Sequence, residues 1–537
     1  MKKHTNFTLN KFIVGFITLL SFTKIEAQCV TTNITGNFIV TSDIILSGTY
    51  NVSGTFKIPA GVIVYVKAFS TGSCGKLIIN AQKIIIDGTV NGNYSGNIGG
   101  LAGLGGNNVT SLTGDITAIN TCSNKDNTGV VLLEGGKYGT NGIGLGAGLQ
   151  GQNGQTGSGP KQQCLSSSDE AGMIGSSAGA GGGGGASYGG LGSNGSAGGN
   201  GTNSYTTTGV NISTGYIVVG GIGGLGGNTS SIYGTLSGSD IDLGSGGGGS
   251  GGGGRSYYVG LSGGKGGSGG GMLKLVATDS LKISGSILIN GENGTTGGNA
   301  GSGGASPNCC SDGCDDSGEA TYSCGAGGGS GAGGGSGGGI YLESLNIAII
   351  TGTLQTKGGN GGSGGLNGIG TSATYSGGIF CGTQTLNSGS GSIGNKGGAG
   401  SGGRIKIFVP SCTTSTINPN YFILGGISNT NGALGTYQII CGVNGIEENQ
   451  KEQYVFNIFP NPISGSFTIK FKYDLTPETM SEINIINSLG QLIKSFSSEE
   501  LKNNNSANFD VSEIPSGIYF IKTIINHLSY DYKIIKQ

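Results

Sequence analysis

Gly75-Lys76-Leu77-Ile78-Ile79-Asn80-Ala81-Gln82-Lys83-Ile84-Ile85-Ile86-Asp87-Gly88-Thr89-Val90 is the stretch on which the fold turns. It reads as a short strand, a bend, a second strand and an apolar-polar-Gly triplet, followed by one more apolar position. The same order returns over 271–287 and again over 339–354, with Ile283-Ser284-Gly285 and Ile350-Thr351-Gly352 in place of Ile86-Asp87-Gly88. A truncated fourth copy begins at Gly403-Arg404-Ile405-Lys406-Ile407. The copies are irregularly spaced, with long glycine-rich inserts between them. Repeated short strands with glycine at the corners suit a parallel β-helix or related β-solenoid, in which each coil stacks its apolar positions on the next. Corner glycines are expected to supply φ > 0 where the chain turns.

Working outward, glycine dominates everything between Cys29 and Gly445, at 116 of 417 residues. If each costs roughly 0.5–1 kcal/mol of backbone entropy in a regular element, the sum exceeds a domain's net stability several-fold. Either the tracts are mobile loops, or close backbone approach returns the loss. Collagen is excluded, since a Gly-X-Y period is missing and the chain has only nine prolines. Runs such as 181–185, 246–249 and 251–254 fit a flexible linker equally well as extended polyglycine helices whose bare backbones hydrogen-bond to their neighbours. The strand unit itself resembles the glycine-rich β-solenoid repeats of bacterial surface proteins.

The last stretch has a different chemistry: from Ile446 onward only Gly465, Gly490 and Gly517 are glycine. Alternating apolar and polar residues predict strands over 454–459, 467–473, 483–487, 491–496, 517–525 and 530–536, separated by turns at Asn-Pro, Leu-Gly and Pro-Ser-Gly. A small antiparallel β-sandwich is expected. The landmarks come in a fixed order: Asn457-Ile458-Phe459-Pro460-Asn461-Pro462, then Phe467-Thr468-Ile469, then Ile485-Ile486-Asn487-Ser488-Leu489-Gly490-Gln491. Ile514-Pro515-Ser516-Gly517-Ile518-Tyr519 and a terminal Lys533-Ile534-Ile535-Lys536 complete the set. Taken singly they mark turns and strand ends. Together they resemble the type A C-terminal sorting domain of type IX secretion cargo. The resemblance implies recognition by the outer-membrane secretion machinery, usual removal of the tail, and in many members attachment to a surface glycolipid. It implies an address and no activity.

The N-terminus agrees with export. Lys2, Lys3 and Lys11 precede an apolar run over 12–22, and Ile25-Glu26-Ala27 offers a cleavage point before Gln28, as in a secretory signal. Lipidation at Cys29 is disfavoured by the bulk of Gln28. The expected organisation is a signal peptide at 1–27, a glycine-rich β-solenoid-like region at 28–445, a linker at 446–453 and the sorting domain at 454–537.

Composition narrows the chemistry of residues 29–445. The chain's two histidines, His4 and His527, lie outside this region, which leaves no Ser-His-Asp or Cys-His device and no histidine for zinc. Sixteen acidic and fifteen basic residues balance there without a basic stripe, so no nucleic-acid partner is expected. Tryptophan is absent, although Tyr and Phe remain for a glycan or other surface ligand. Gly-x-Gly-x-x-Gly matches follow from composition and open no helix, and no phosphate loop is formed after Lys137 or Lys265. The run 236–244 (Leu-Ser-Gly-Ser-Asp-Ile-Asp-Leu-Gly) is taken as a strand edge with solvated acids.

Eleven cysteines in an exported chain predict disulfides. Cys309, Cys310, Cys314 and Cys324 close one insert in any of three ways, and Cys412 with Cys441 is a candidate staple at the end of the repeat region. Asp312, Asp315, Asp316 and Glu319 share the insert and are weak calcium candidates; otherwise no cofactor is expected. The resulting expectation is a secreted or surface-anchored adhesive or structural protein without catalytic residues. Its rivals are a β-helix enzyme acting on polysaccharide through carboxylates and an ice- or crystal-binding surface.

Overall fold

The computed structural model describes residues 29–70, 73–111, 130–160, 170–208, 211–212, 219–304, 321–376, 383–442, 456–471, 480–487, 491–497, 506–525 and 528–537. They belong to two compact units, Met1–Asn444 and Gly445–Gln537. Regular structure among the described residues is all strand. Residues 1–28 and 443–455, where a signal peptide and a linker are expected, and the acidic, cysteine-rich stretch 305–320 lie outside them.

Each repeat copy becomes one coil of a parallel β-solenoid. Strands Thr31–Ile34, Gly48–Ile58, Lys76–Ile86, Met272–Ile283, Gly339–Ser344, Arg404–Val409 and Thr436–Cys441 stack in that order in one sheet. A second sheet runs Ile44–Leu46, Ile63–Val66, Thr89–Asn91, Ser286–Leu288, Thr353–Gln355 and Asn420–Phe422. Alternation puts every second residue inside, so equivalent apolar positions pile into columns. Ile58, Ile86, Ile283, Ile350 and Ile417 form one such column through consecutive parallel pairings. Ile79, Leu275, Leu342 and Ile407 form another. Ile283 is fully buried between Ile86 and Ile350. Its replacement by alanine leaves a cavity among side chains held by their own ladders, and is expected to cost about 2–5 kcal/mol in a denaturant melt.

Two features of the repeats go beyond the sequence pattern. The coils after Ser286 are regular: Ser286 pairs Thr353, which pairs Asn420. Asparagines hold that spacing between tracts, each Oδ1 accepting the backbone N–H 67 residues on, as Asn290 does from Lys357, Asn293 from Asn360 and Asn360 from Ile427. The corner glycines, moreover, are of two kinds, and Gly36, Gly48, Gly61 and Gly75 take the positive φ expected of them, from 64° to 89°. Gly88, Gly285 and Gly352 lie outside the left-handed region. A Cβ on Gly285 would strike Gly88 O, and one on Gly352 would strike Gly285 O, so what requires glycine is the corner of the coil stacked beneath.

The glycine tracts are ordered and packed. In 243–256 the N–H groups of Gly246, Gly249 and Gly252 donate to Ile143, Thr140 and Lys137 O at 2.8–2.9 Å. Those of Gly247, Ser250 and Gly253 donate to Gly267, Gly264 and Leu261 O, and Gly248 N–H donates to Gly184 O. The carbonyls of Gly247, Ser250 and Gly253 accept from Gly100, Gly103 and Gly106, that of Gly248 from Gly333, and that of Gly251 from Gly298. One neighbour is therefore met at every third residue, the signature of an extended helix with three residues per turn and no internal hydrogen bonds. Among the described residues seven neighbouring tracts hydrogen-bond to this one, the seventh through Gly148 N–H to Gly246 O. Tracts 174–190, 243–254 and 323–338 are buried throughout, and the others ring them. Pairing answers the entropy objection: the buried peptide groups of these tracts find partners because no side chain keeps the backbones apart.

Register also fixes direction. Tracts 97–106, 146–155, 191–201, 244–254, 291–303 and 358–370 run away from the solenoid sheets, and tracts 134–143, 176–187, 221–227, 260–270, 325–338 and 389–403 run back. Three small sheets stand at the far end: Val109–Ser111 with Val130–Leu133 and Gly157–Pro160; Glu170–Ile174 with Asn211–Ile212 and Thr321–Ser323; Tyr205–Thr208 with Thr383–Ser388 and Ser372–Ser376.

The second unit is the expected antiparallel sandwich. One sheet holds Phe456–Phe459, Ser466–Phe471 and Ser506–Asp510, and the other Leu492–Ser497, Met480–Asn487, Gly517–Ile525 and Leu528–Lys536. Phe467, Phe509, Ile469, Ile485 and Ile521 fill the space between them. The strand Ser506–Asp510 is one that sequence patterning did not find, since Ser506-Ala507-Asn508-Phe509-Asp510 has a single large apolar residue.

Candidate functional site

In the C-terminal unit the landmark residues converge on the last strand. Asn461 Nδ2 donates to Lys533 O at 3.0 Å, and its Oδ1 accepts from Ile535 N–H at 2.9 Å. Buried Ile463 continues the clasp, donating to Ile535 O at 2.7 Å and accepting from Gln537 N–H at 2.8 Å. The other edge of Leu528–Lys536 pairs along its length with Gly517–Ile525, Gly517 opposite Lys536. Tyr519, nearly buried, closes the preceding turn by donating its hydroxyl to Pro515 O at 2.9 Å. Phe459, Pro460, Asn461, Pro462 and Lys533 remain exposed, whereas Lys536 is largely buried, its Nζ donating to Gln537 O. Gly490 lies outside the described residues.

Residues 457–537 match the family described as secretion system C-terminal sorting domain. This is a secreted all-β protein, exported to the cell surface or the extracellular space. The C-terminal unit is a type IX secretion sorting domain, and through it the protein engages the type IX machinery. A comparison with curated proteins finds no match.

The first unit carries polar clusters of another kind. Arg404 and Lys406, on one strand, are 2% and 1% exposed. Arg404 donates to Tyr233 O at 2.8 Å, to Gly234 O at 3.2 Å and to Tyr188 O at 3.4 Å, with Tyr188 stacked on Tyr233 beside it. Lys406 Nζ donates to Gly238 O at 2.9 Å, Asp240 O at 2.6 Å and Asp240 Oδ1 at 3.0 Å. The two cations thus pin the segment 233–240 onto the solenoid. The acid at Asp240 is therefore an anchor, not the freely solvated edge residue expected from sequence; the partners stand 166 positions apart, beyond any local pattern.

Burial alone would raise the Asp240 pKa, but hydrogen bonds from Thr235 and Lys406 prevail and hold it at about 2. Glu134 is likewise held at about 2, burial being outweighed by Lys137 and by the N–H groups of Asn107 and Asn108. Because both folded values lie below the unfolded ones, about 4, their contribution is complete above that pH and is lost as pH falls towards 2. Melting temperature should drop across that window, and Asp240→Asn should flatten the drop while lowering stability at neutral pH.

Asp87 also has a structural role. Its Oδ1 accepts from Ser284 Oγ at 2.6 Å and Lys282 Nζ at 3.2 Å, and Lys57 lies 3.8 Å from Oδ2, which ties three coils at one corner. The Ser284 hydrogen bond chiefly lowers its pKa.

Disulfides staple both ends of the solenoid: Cys29 to Cys74 and Cys412 to Cys441. The first pair was not legible, since spacing does not encode connectivity. Cys324 is buried beside Ser204 O. Cys309, Cys310, Cys314, Asp312, Asp315, Asp316 and Glu319 lie outside the described residues, and among those described no group of acids, cysteines or histidines is placed to hold a metal ion.

Proposed function

We propose that the protein is an adhesive or structural component of the cell surface, delivered by its sorting domain, with the leading segment 1–27 removed and the mature chain carried on a surface glycolipid. The polyglycine bundle is the observation that carries this reading. It is a stiff, hydrogen-bonded body whose outgoing tracts all point to one end, an arrangement suited to holding contact surfaces away from an anchor. Aliphatic side chains stand exposed at three-residue spacing on its outer tracts, at Leu101 and Leu104, Ile222 and Leu225, and Leu366 and Ile369. Exposed apolar clusters of this kind favour contact with other surfaces. Beads coated with the secreted protein should attach under flow to cell or polysaccharide surfaces and release no soluble oligosaccharide. Non-attachment would count against adhesion, and released oligosaccharide abolished by one acidic substitution would favour an enzyme instead.

A further inference from the structure

A groove of about 620 Å³ crosses the first coils where their strands bend. The bend is a register shift: Ser53 and Gly54 on one strand, and Thr278 and Asp279 on another, face the single residue Gln82 between them. Bulges of this kind re-aim side chains and recur beside binding sites. Along the groove the amides of three successive coils form a ladder, Asn80 Nδ2 donating to Asn51 Oδ1 at 2.9 Å and Asn51 Nδ2 to Asn33 Oδ1 at 2.8 Å. Each amide has two N–H donors and the ladder uses one per rung, so donors are left over at every rung. Hydroxyls of Thr35, Ser53 and Thr278 line the same walls, and Ile34, Val52 and Ala81 supply apolar atoms. None of the ten lining residues is charged.

The geometry points to a binding site for a neutral polysaccharide chain lying along the stack of coils. Rungs repeat at the strand spacing, about 4.8 Å, offering the same amide donor and acceptor at each step, which matches a polymer of repeating hydroxylated units. A nucleic acid or an acidic glycan would need cations that the walls do not supply. The ladder ends after three coils, because the next positions in register are Val276 and Glu343, so the site reads a short stretch of chain. This inference rests on the adhesive reading and names its ligand class.

The test is titration of the purified full-length secreted protein with neutral gluco-, manno-, xylo- and galacto-oligosaccharides of increasing length, and with oligouronates for comparison. At least one neutral series should bind, tightening with length and then levelling off. Ser53→Trp, which fills the groove without touching the ladder, and Asn51→Ala should each weaken binding by about tenfold or more. Ser53→Trp gives up the hydrogen bond that Ser53 Oγ accepts from the exposed Gly36 N–H, so its melting temperature should fall by a few degrees at most, which separates blockage from unfolding. Failure of every neutral series to bind wild type, preference for the oligouronates, or undiminished binding by Ser53→Trp would overturn the site. Bead attachment that persists in Ser53→Trp while no neutral oligosaccharide binds wild type would discard the groove and leave adhesion standing.

Discussion

A Gly333→Ala variant is expected to lose about 3 kcal/mol or more of unfolding free energy, although it adds one methyl group. Gly333 sits in a fully buried tract, where a new Cβ would lie well under 3.0 Å from the carbonyl group of Gly184. The obstructing atoms are backbone, and they are fixed on their far side as well. Gly333 N–H donates to Gly248 O at 2.8 Å, and Gly248 N–H donates to Gly184 O at 3.0 Å, so making room parts three tracts at once. Each buried peptide group left without a partner adds about 1–3 kcal/mol. The neighbouring change in the opposite sense, Ala332→Gly, should cost only about 0.5–1 kcal/mol, since that Cβ already fits. Chemical denaturation of the two variants compares them directly. A Gly333→Ala protein as stable as wild type would refute close packing of the tracts.

Removal of residues 454–537 is expected to abolish delivery to the outside and leave the remainder in the periplasm. The same segment fused to a signal-bearing reporter should carry the reporter out. Asn461→Ala is the sharper variant, since one amide both donates to Lys533 O and accepts from Ile535 N–H. Its loss should loosen the last strand on one edge and reduce export, while the repeat unit keeps its melting behaviour. Surface proteolysis with cell fractionation reads both outcomes. Unchanged surface display of the truncated protein would contradict the role of the sorting domain.

Much of this architecture is written locally. The copies beginning at Gly75, Gly271 and Gly339 were legible because inward apolar positions recur with the same bend and triplet, and each became a coil in register with the others. The coils formed by Gly48–Ile58 with Ile63–Val66, and by Thr31–Ile34 with Ile44–Leu46, carry no such mark in the sequence, because no glycine tract follows them. In the tail, Pro460, Asn461 and Pro462 were legible as landmarks, but not as a clasp. Asn461 lies 72 residues from Lys533 and 74 from Ile535, and only the folded sandwich brings them together. The amide ladder was equally hidden: Asn33, Asn51 and Asn80 are unremarkable until their strands stack.

By itself, then, the sequence determined the parallel stacking of the repeated strands and the sorting character of the tail, because both depend on patterns of neighbouring residues. Tertiary structure alone decided what the glycine tracts are. A run such as 246–254 has the same local sequence whether it is a mobile loop or the centre of a packed bundle. The difference lies in its N–H partners: Ile143, Thr140 and Lys137 on one side, Gly267, Gly264 and Leu261 on another, and Gly184 on a third. Glycine records nothing about which neighbours it will meet, since what it contributes is the absence of an atom, and only the assembled neighbours give that absence its value.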